Sequence, residues 1–306
     1  MKNKKNKIKK SAGDTIIGMI CTAIALVFLM AFLYPLIYIA IHSVTTYSMQ
    51  EKVDLFDKFS FEGYLAIFKH NMIIRSFFNS VLYTAVGTLV SMIASIILAY
   101  VTSIKGFGFG KFVFLLLVVS NYFSGGMIPT YLLIKDLRLL NTMWSLILPS
   151  AVSTFNVFLL SSYFKTRIPS ELLDAASLDG CGYFRYLVQF VVPLSKPIII
   201  VVSFFYAVSK WNSYFDSSIY ITDPEKKPFA NILNEILVKN QFDSVISHNT
   251  SSSSALSATE ISQLMDYALI MISIIPIIFI VMFFKKYFIN FNIHSPKNDL
   301  TKKKGR

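Results

Sequence analysis

Two carboxylates and a run of small residues stand together in the middle of the chain, in a polar segment between apolar stretches. Glu171 and Asp174 are followed there by four small residues, Ala175, Ala176, Ser177 and Gly180. Carboxylates suit the first turns of a helix, whose dipole favours negative charge. Small residues let a second surface approach closely. The chemistry that this segment offers is docking by charge and close contact, and we call residues 168–193 the island.

The island is predicted to fold as two short helices. Ser170, after Pro169, is expected to cap the first helix. The run Gly180-Cys181-Gly182 is expected to end it, because glycine readily takes the left-handed conformation of a helix stop. A second segment, Tyr183 to Phe190, then leads to Pro193. A loop that only connects two apolar stretches needs none of these features.

Residues for catalysis, metal binding or ATP hydrolysis do not assemble in the sequence. The four histidines are widely spaced, at His42, His70, His248 and His294. A phosphate-binding loop has the form Gly-x4-Gly-Lys-Ser/Thr, whereas Gly106 to Lys111 is followed by Phe112 and predicts a tight turn. We therefore expect no catalytic residue, no metal ligand and no cofactor bound by this chain. Cys21 and Cys181 lie far apart and predict no disulfide framework.

The composition predicts a helical membrane protein with several spans. Of the 306 residues, 54% are hydrophobic and 15% charged, against about 25% charged in soluble domains. The net charge of +12 does not indicate a nucleic-acid partner, because the basic residues gather at chain ends and loop edges, where membrane topology needs them.

Six apolar stretches are long enough to cross a membrane, which takes about 20 residues. The first has a basic front, but it is too long for a signal peptide and lacks a clear cleavage site, so it is predicted to be an uncleaved helix. The six are Ile16 to Ile41, Phe77 to Val101, Phe112 to Ile134, Met143 to Phe164, Val191 to Val208 and Tyr267 to Phe284.

The charge distribution predicts that both termini are cytoplasmic. With that orientation, 19 of the 29 Lys and Arg residues fall in cytoplasmic segments, as the positive-inside rule requires. The predicted organisation is a basic N-terminus, a first span, an extracytoplasmic loop, a five-span core that includes the island, and a basic tail. Their bounds are 1–15, 16–41, 42–76, 77–284 and 285–306.

Local residues predict irregularities in the spans. Ser120 to Gly126, followed by Pro129, loosens the third span, and the freed backbone groups must face protein or water. Pro276 predicts a kink in the sixth span. A helix is expected around Phe229 to Val238, and the serine run 251–254 is expected to be mobile.

Ionisable residues are essentially missing from the cores of the six spans. Lys196 and Lys210 lie near span ends and are expected to extend their amino groups to water. Ion-coupled transporters place charges inside their spans, so the sequence argues against a secondary transporter or a proton pump.

The island carries a family resemblance. Asp174-Ala175-Ala176, Gly180 after three residues and Phe190-x-Val192-Pro193 after nine more resemble the EAA motif, Glu-Ala-Ala-x3-Gly-x9-Ile-x-Leu-Pro. That motif marks permease subunits of binding-protein-dependent ABC importers. Further similar segments are 125–137, 140–149, Trp211-Asn212 and Lys285 to Phe288. Together they resemble carbohydrate permeases with a MetI-like transmembrane domain, especially the maltose-type second permease and its oligosaccharide or complex-polysaccharide branch.

The resemblance implies how the chain would work. The EAA loop lies in a cleft of a cytoplasmic ATPase, where Asp174 would meet a basic or polar group, Ala175 and Ala176 would permit close contact, and Gly180 would form the turn. Here Asp replaces the usual Glu and shortens the carboxylate by one methylene. The implied partners are a second permease subunit, a dimer of ATPases that uses the ATP, an extracytoplasmic solute-binding protein, membrane lipid and a sugar. The implied location is the bacterial cytoplasmic membrane.

A sugar path needs hydrogen-bonding groups and aromatic faces along a cavity. Candidate residues along such a path are Asn121, Tyr122, Ser124, Asn156, Trp211 and Asn212. Packing between helices is the simpler interpretation for each, because small and polar residues also hold membrane helices together.

Two other functions fit parts of the sequence. A permease for peptides, polyamines or other solutes would carry the same island. A membrane enzyme or assembly factor would use the polar loops, but it would need an acid–base or metal set that the sequence does not offer.

Overall fold

The computed structural model describes residues 12–45, 59–104, 106, 108–123, 125–239 and 258–293. These residues form helices and their connections, with no β-strand beyond one isolated bridge between Thr45 and Phe59. The all-α prediction is confirmed for this part of the chain. Ser124 and the serine run 251–254 lie outside the described residues.

Thirteen labels cover the helices named below, in chain order. They are α1 (Ala12–His42), α2 (Glu62–Lys69), α3 (Asn71–Ser103), α4 (Gly108–Tyr122), α5 (Met127–Asp136), α6 (Trp144–Ile147), α7 (Thr154–Arg167), α8 (Ser170–Leu178), α9 (Tyr183–Leu194), α10 (Lys196–Trp211), α11 (Tyr214–Tyr220), α12 (Phe229–Lys239) and α13 (Ala258–Ile293). A 3-10 turn, Pro224–Lys226, precedes α12.

Among the residues that the structure describes, three helices are long and apolar enough to cross a membrane unaided. The qualifying stretches are Ile16–His42, Asn71–Ser103 and Gln263–Lys285, with mean hydropathies of 2.8, 2.1 and 2.8. They contain the predicted first, second and sixth spans. The sixth runs as one helix through Pro276. The chain is therefore a multi-span membrane protein, and the count of six spans stays a prediction.

The predicted third span is broken where glycine and proline indicated. Helix α4 ends at Tyr122 and α5 begins at Met127, and the two helix axes differ by 119°. The predicted fourth span, Met143 to Phe164, is not one helix either. The short α6 ends before Pro149, residues 148–153 are not helical, and α7 then supplies 14 residues.

The predicted fifth span bends sharply near its start. The axes of α9 and α10 differ by 85° across Ser195. Proline explains the irregularity, because Pro193 has no N–H to donate to the carbonyl of Gln189. Before the proline, the backbone forms the π-helical segment Leu187–Val191, and the Val192 N–H donates to the Leu187 carbonyl.

Contacts divide the chain into two compact units. The first comprises residues 1–66 and 246–271. Within it, Gly63 packs so closely on Leu264 that a Cβ would lie 2.8 Å from the Leu264 carbonyl carbon. The Tyr64 hydroxyl donates to Ser43 Oγ over 2.9 Å, and the ring of Tyr267 lies against the rings of Tyr38 and His42.

The second unit, residues 67–245 and 272–306, is built around α3. Helices α7 and α10 pack along α3 because its buried face is made of small side chains, which let helices approach closely. This face carries Ser76, Ser80, Thr84, Gly87, Ser91, Ser95 and Ala99. The apolar core lies among α3, α7, α9 and α10.

Candidate functional site

The island folds as the two predicted helices. Helix α8 begins at Ser170, and the capping position belongs to Pro169, whose conformation is extended. The prediction that Ser170 caps the helix is therefore off by one residue. Glu171, Asp174 and Ala175 all lie exposed on α8, where a second protein can reach them.

Gly180 ends the first helix with a Schellman turn. Its φ of +73° is the left-handed conformation that glycine adopts without steric cost. The Cys181 N–H donates to the Ala176 carbonyl over 2.9 Å, and the Gly180 N–H donates to the Ser177 carbonyl over 3.1 Å. This is the paired bonding of the motif. The turn role implied for Gly180 therefore has a matching geometry in this chain.

Ala176 lies on the other face of α8. It is only 7% exposed and belongs to the core that also holds Tyr186, Leu187 and Val191. Its small size lets α8 lie against the bundle. The pair Ala175-Ala176 is thus divided: Ala175 faces outward, while Ala176 does not present its side chain to a partner. Pro193 is exposed behind the π-helical segment.

A cavity of about 300 Å³ lies between the island and the end of α3. Asp174, Lys165, Tyr100 and Tyr186 are among its lining residues. The Tyr100 hydroxyl donates to the Tyr183 carbonyl over 3.1 Å. This bond ties the second helix of the island to α3, the hub of the unit.

The island also exposes large apolar side chains, which the sequence analysis did not single out. Leu178 is 90% exposed, Phe184 77% and Tyr183 59%. They flank the Gly180 turn. The sequence indicated these three residues only as apolar side chains within an otherwise polar segment. Exposed apolar groups beside exposed carboxylates are typical of a protein contact surface.

The residues of the predicted sugar path are scattered. Asn121 and Tyr122 lie exposed at the end of α4, and Asn156 is buried in the first turn of α7. Trp211 is buried at the end of α10, where its Nε1 donates to the Ser273 carbonyl over 3.2 Å and its ring lies 5.8 Å from that of Phe77.

Asn212 is exposed and donates to the Val208 carbonyl of its own helix. None of the five described residues of the path lines the cavity between the island and α3, and Trp211 has the contacts of a packing residue. The whole set, with Ser124, stays a prediction.

The opposite end of α3 is fastened by polar side chains. Asn79 Nδ2 donates to the Glu225 carbonyl over 2.8 Å, and the Tyr83 hydroxyl donates to the Lys226 carbonyl over 3.0 Å. Asn141, whose φ is +57°, accepts from the Thr222 N–H, the Thr222 hydroxyl and the Asp223 N–H over 2.7–3.0 Å.

Asp223 in turn accepts the Glu225 N–H over 3.0 Å, which holds the pKa of its carboxyl below the ordinary value.

Lys210 completes this set of bonds and corrects the expectation that it extends to water. It is 7% exposed. Its Nζ donates to the Ile147 carbonyl, the Ser150 carbonyl and Ser150 Oγ over 2.6–3.2 Å. The Lys210 ammonium group thereby donates hydrogen bonds to carbonyl groups where α6 ends and the backbone is no longer helical. We call Asn79, Tyr83, Asn141 and Lys210 the polar clamp.

Comparisons with known proteins agree with the family resemblance of the island. No family model matches the chain. It is 36% identical over 231 residues to the polygalacturonan/rhamnogalacturonan transport system permease protein YtcP of Bacillus subtilis, covering 75% of this chain and 79% of that protein. It is 33% identical over 257 residues to protein LplC of the same organism, covering 83% and 85%.

A solved structure has the same fold. It is described as a bacterial ABC transporter involved in the import of the acidic polysaccharide alginate, and it superposes with a TM-score of 0.80 at 26% identity, over 92% of this chain and 100% of the solved one. Sequence, fold and island thus agree, and the chain belongs to the family of permease subunits of carbohydrate ABC transporters.

Proposed function

We propose that the chain is one of two permease subunits of an importer that moves an oligosaccharide across the bacterial cytoplasmic membrane. The observation that supports this proposal is the island, whose two helices are joined by a Schellman turn. Leu178, Phe184 and Asp174 are all exposed there. A surface of this kind favours a protein partner. In the proposed assembly the chain crosses the membrane six times, with both termini and the island in the cytoplasm.

The island transmits the energy of ATP hydrolysis in this proposal. A separate ATPase dimer binds the nucleotide and receives α8 and the Gly180 turn in a cleft, and the permease itself binds no cofactor. Glu171, Asp174 and Ala175 lie on the accessible face and Ala176 behind it. Closure of the ATPases moves the island relative to the spans, and access alternates as the two states gain different affinities for substrate.

The substrate proposal rests on the relatives. One is named for polygalacturonan and rhamnogalacturonan, and the solved transporter imports alginate. A second solved structure, alike in fold only, is a bacterial alginate ABC transporter with a pentasaccharide-bound periplasmic protein. These names favour oligosaccharides that contain uronic acids. In the proposed importer, an extracytoplasmic solute-binding protein delivers them to a pair of non-identical permeases.

Uptake of labelled oligosaccharides tests the proposal. A strain that lacks this chain is compared with the complemented strain on oligogalacturonates, alginate oligomers, neutral arabino- or galacto-oligosaccharides, a peptide and a polyamine. We expect the deletion to abolish uptake of at least one acidic oligosaccharide and leave peptide and polyamine uptake unchanged. Uptake of every glycan unaffected by the deletion would refute the sugar assignment, and loss of peptide uptake alone would favour a different solute.

A further inference from the structure

A second cavity, of about 420 Å³, lies beside the island at the point where α3 ends and α4 begins. It shares Ser103, Ile104 and Lys165 with the cavity under the island. Gly110 fixes its inner wall, because a Cβ at this position would lie 2.4 Å from the Val101 carbonyl oxygen. The helices therefore meet backbone to backbone and leave the side chains around the cavity to define its chemistry.

That chemistry is cationic. Lys111 from the start of α4 and Lys165 from the end of α7 line the cavity, and no carboxylate lines it. Among the residues that the structure describes, neither ammonium group forms an ion pair with a carboxylate. Asp174 lines the adjoining cavity, under the island, instead.

The hydroxyl groups at the cavity already have partners. Thr102 Oγ1 lies 3.0 Å from two carbonyl oxygens of α3 and 3.0 Å from Ser161 Oγ, so its one hydrogen has an acceptor. Ser103 Oγ donates to the Tyr100 carbonyl over 2.7 Å. The two lysines are thus the charged donors that the cavity offers to a bound group. Two ammonium groups without a facing carboxylate suit an anion.

An apolar surface leads away from this cationic cavity. Phe114 lines the cavity, and the Lys165 Nζ lies 6.0 Å from its ring centroid. On the same helix, Phe112 is 54% exposed, Leu115 57% and Leu116 51%. A ligand with an anionic head and hydrocarbon chains matches both surfaces at once. Basic pockets between helices at the cytoplasmic membrane surface bind anionic lipid headgroups.

We propose that this cavity binds the phosphate headgroup of an anionic phospholipid, with its acyl chains against the exposed face of α4. The proposal rests on the cytoplasmic placement of the island that the proposed function assigns. Because Lys165 lines both cavities, a bound headgroup neutralises positive charge next to Asp174. The lipid would therefore influence the electrostatic surroundings of the island.

Lipid binding to the intact purified transporter tests the proposal. Phosphatidylglycerol and phosphatidylcholine are titrated into the delipidated complex, and bound lipid is counted by native mass spectrometry. Each Lys near a membrane surface contributes about 1 kcal/mol to anionic lipid binding. We expect the Lys111→Gln/Lys165→Gln variant to lose roughly 10- to 30-fold in phosphatidylglycerol affinity, with phosphatidylcholine binding unchanged.

Two further variants serve as controls. Lys111→Arg/Lys165→Arg keeps the charge and should retain phosphatidylglycerol. Lys135→Gln/Arg138→Gln removes two exposed charges at the other end of the bundle and should also retain it. Equal retention by the Gln variant and the wild type would overturn the proposal, as would equal loss in the Lys135→Gln/Arg138→Gln control.

Inorganic phosphate separates a lipid from a soluble anion. If millimolar phosphate displaces phosphatidylglycerol completely from the wild type, the site takes a free anion and the lipid proposal is wrong. Persistence of the lipid supports it. Because the readout is bound lipid rather than transport, a negative result leaves the sugar proposal standing, and a failed uptake experiment leaves this measurement interpretable.

Discussion

The two ends of α3 differ in the side chains that surround them and in the direction in which these side chains point. At the island, large apolar side chains point outward and Tyr100 supplies the hydroxyl bond to the Tyr183 carbonyl. At the other end, the amides, the phenol and the ammonium group of the polar clamp form hydrogen bonds with backbone carbonyl and N–H groups of the connecting loops. One end exposes the surface that the proposed function assigns to a partner, and the other end forms hydrogen bonds within the chain. Substitutions should therefore affect transport at the first end and stability at the second.

The largest effect is expected at Gly180. The substitution Gly180→Asp should abolish transport while the protein remains in the membrane at normal levels. No atom lies within 4 Å of the position that a Cβ would take, but the φ of +73° strains any side chain there. Aspartate tolerates this conformation better than most residues, and it also places a charge at the docking turn. Sugar uptake and immunoblotting of membranes measure the two quantities.

Gly180→Asn is the matched control for this substitution. Asparagine has nearly the same shape, lacks the charge and tolerates positive φ better than most residues. We expect it to retain uptake within a few-fold of the wild type. Wild-type uptake by Gly180→Asp would refute docking through this turn, and equal failure of both variants would assign the defect to backbone strain.

A loss of stability is expected at Lys210. The substitution Lys210→Met keeps the apolar stem but leaves the Ile147 and Ser150 carbonyls without their buried donor. Each orphaned group costs about 1–3 kcal/mol, so we expect the apparent melting temperature of the detergent-purified protein to fall by several degrees. Lys196→Met, an exposed lysine on the same helix, should change it little. Equal behaviour of the two variants would contradict the inward role of Lys210.

A smaller effect is expected at Asn141, because its bonds lie closer to solvent. The substitution Asn141→Gly allows the φ of +57° and removes the amide that accepts from Thr222 and Asp223. We expect about 1–2 kcal/mol less protection of these amide hydrogens, measured by hydrogen exchange. Unchanged exchange at residues 220–223 would show that the side chain does not hold this loop.

The smallest effect is expected at the ion pair between Arg75 and Glu225, at the same end as the polar clamp. The two groups lie 2.9 Å apart, with their side chains 56% and 66% exposed, and exposed pairs contribute less than about 1 kcal/mol. Arg75→Gln should leave both uptake and thermal stability close to those of the wild type. A loss as large as that of Lys210→Met would mean that charge, rather than inward hydrogen bonding, fastens this end.

The sequence anticipated features that depend on local chemistry. The α8 helix, the stop at Gly180 and the break after Tyr122 follow from residue types a few positions apart. Hydropathy alone does not locate such breaks, because the apolar run from Met143 to Phe164 predicts one span although Pro149 interrupts it.

The features missed depend on distant partners. Nothing near Lys210 in sequence indicates that its amino group reaches Ser150. Likewise, the outward and inward positions of Ala175 and Ala176 depend on where the core lies. The sugar path could not be assigned from residue type alone, because Trp and Asn serve packing and ligand binding equally well.

The interrupted fourth segment has a consequence for how the protein is made. Helix α7 has 14 residues, about 21 Å, against a hydrocarbon thickness of about 30 Å. The polar backbone before it is satisfied by groups of α10: the Ser153 N–H donates to the Tyr206 hydroxyl, and Ser150 accepts from Lys210.

Those partners follow 53 and 60 residues later in the chain. If the fourth segment crosses the membrane as the proposed six-span arrangement requires, residues 148–167 leave the ribosome before α10, which supplies their hydrogen-bond partners, exists. In that arrangement we expect the insertion machinery to shelter this segment until α10 has been translated.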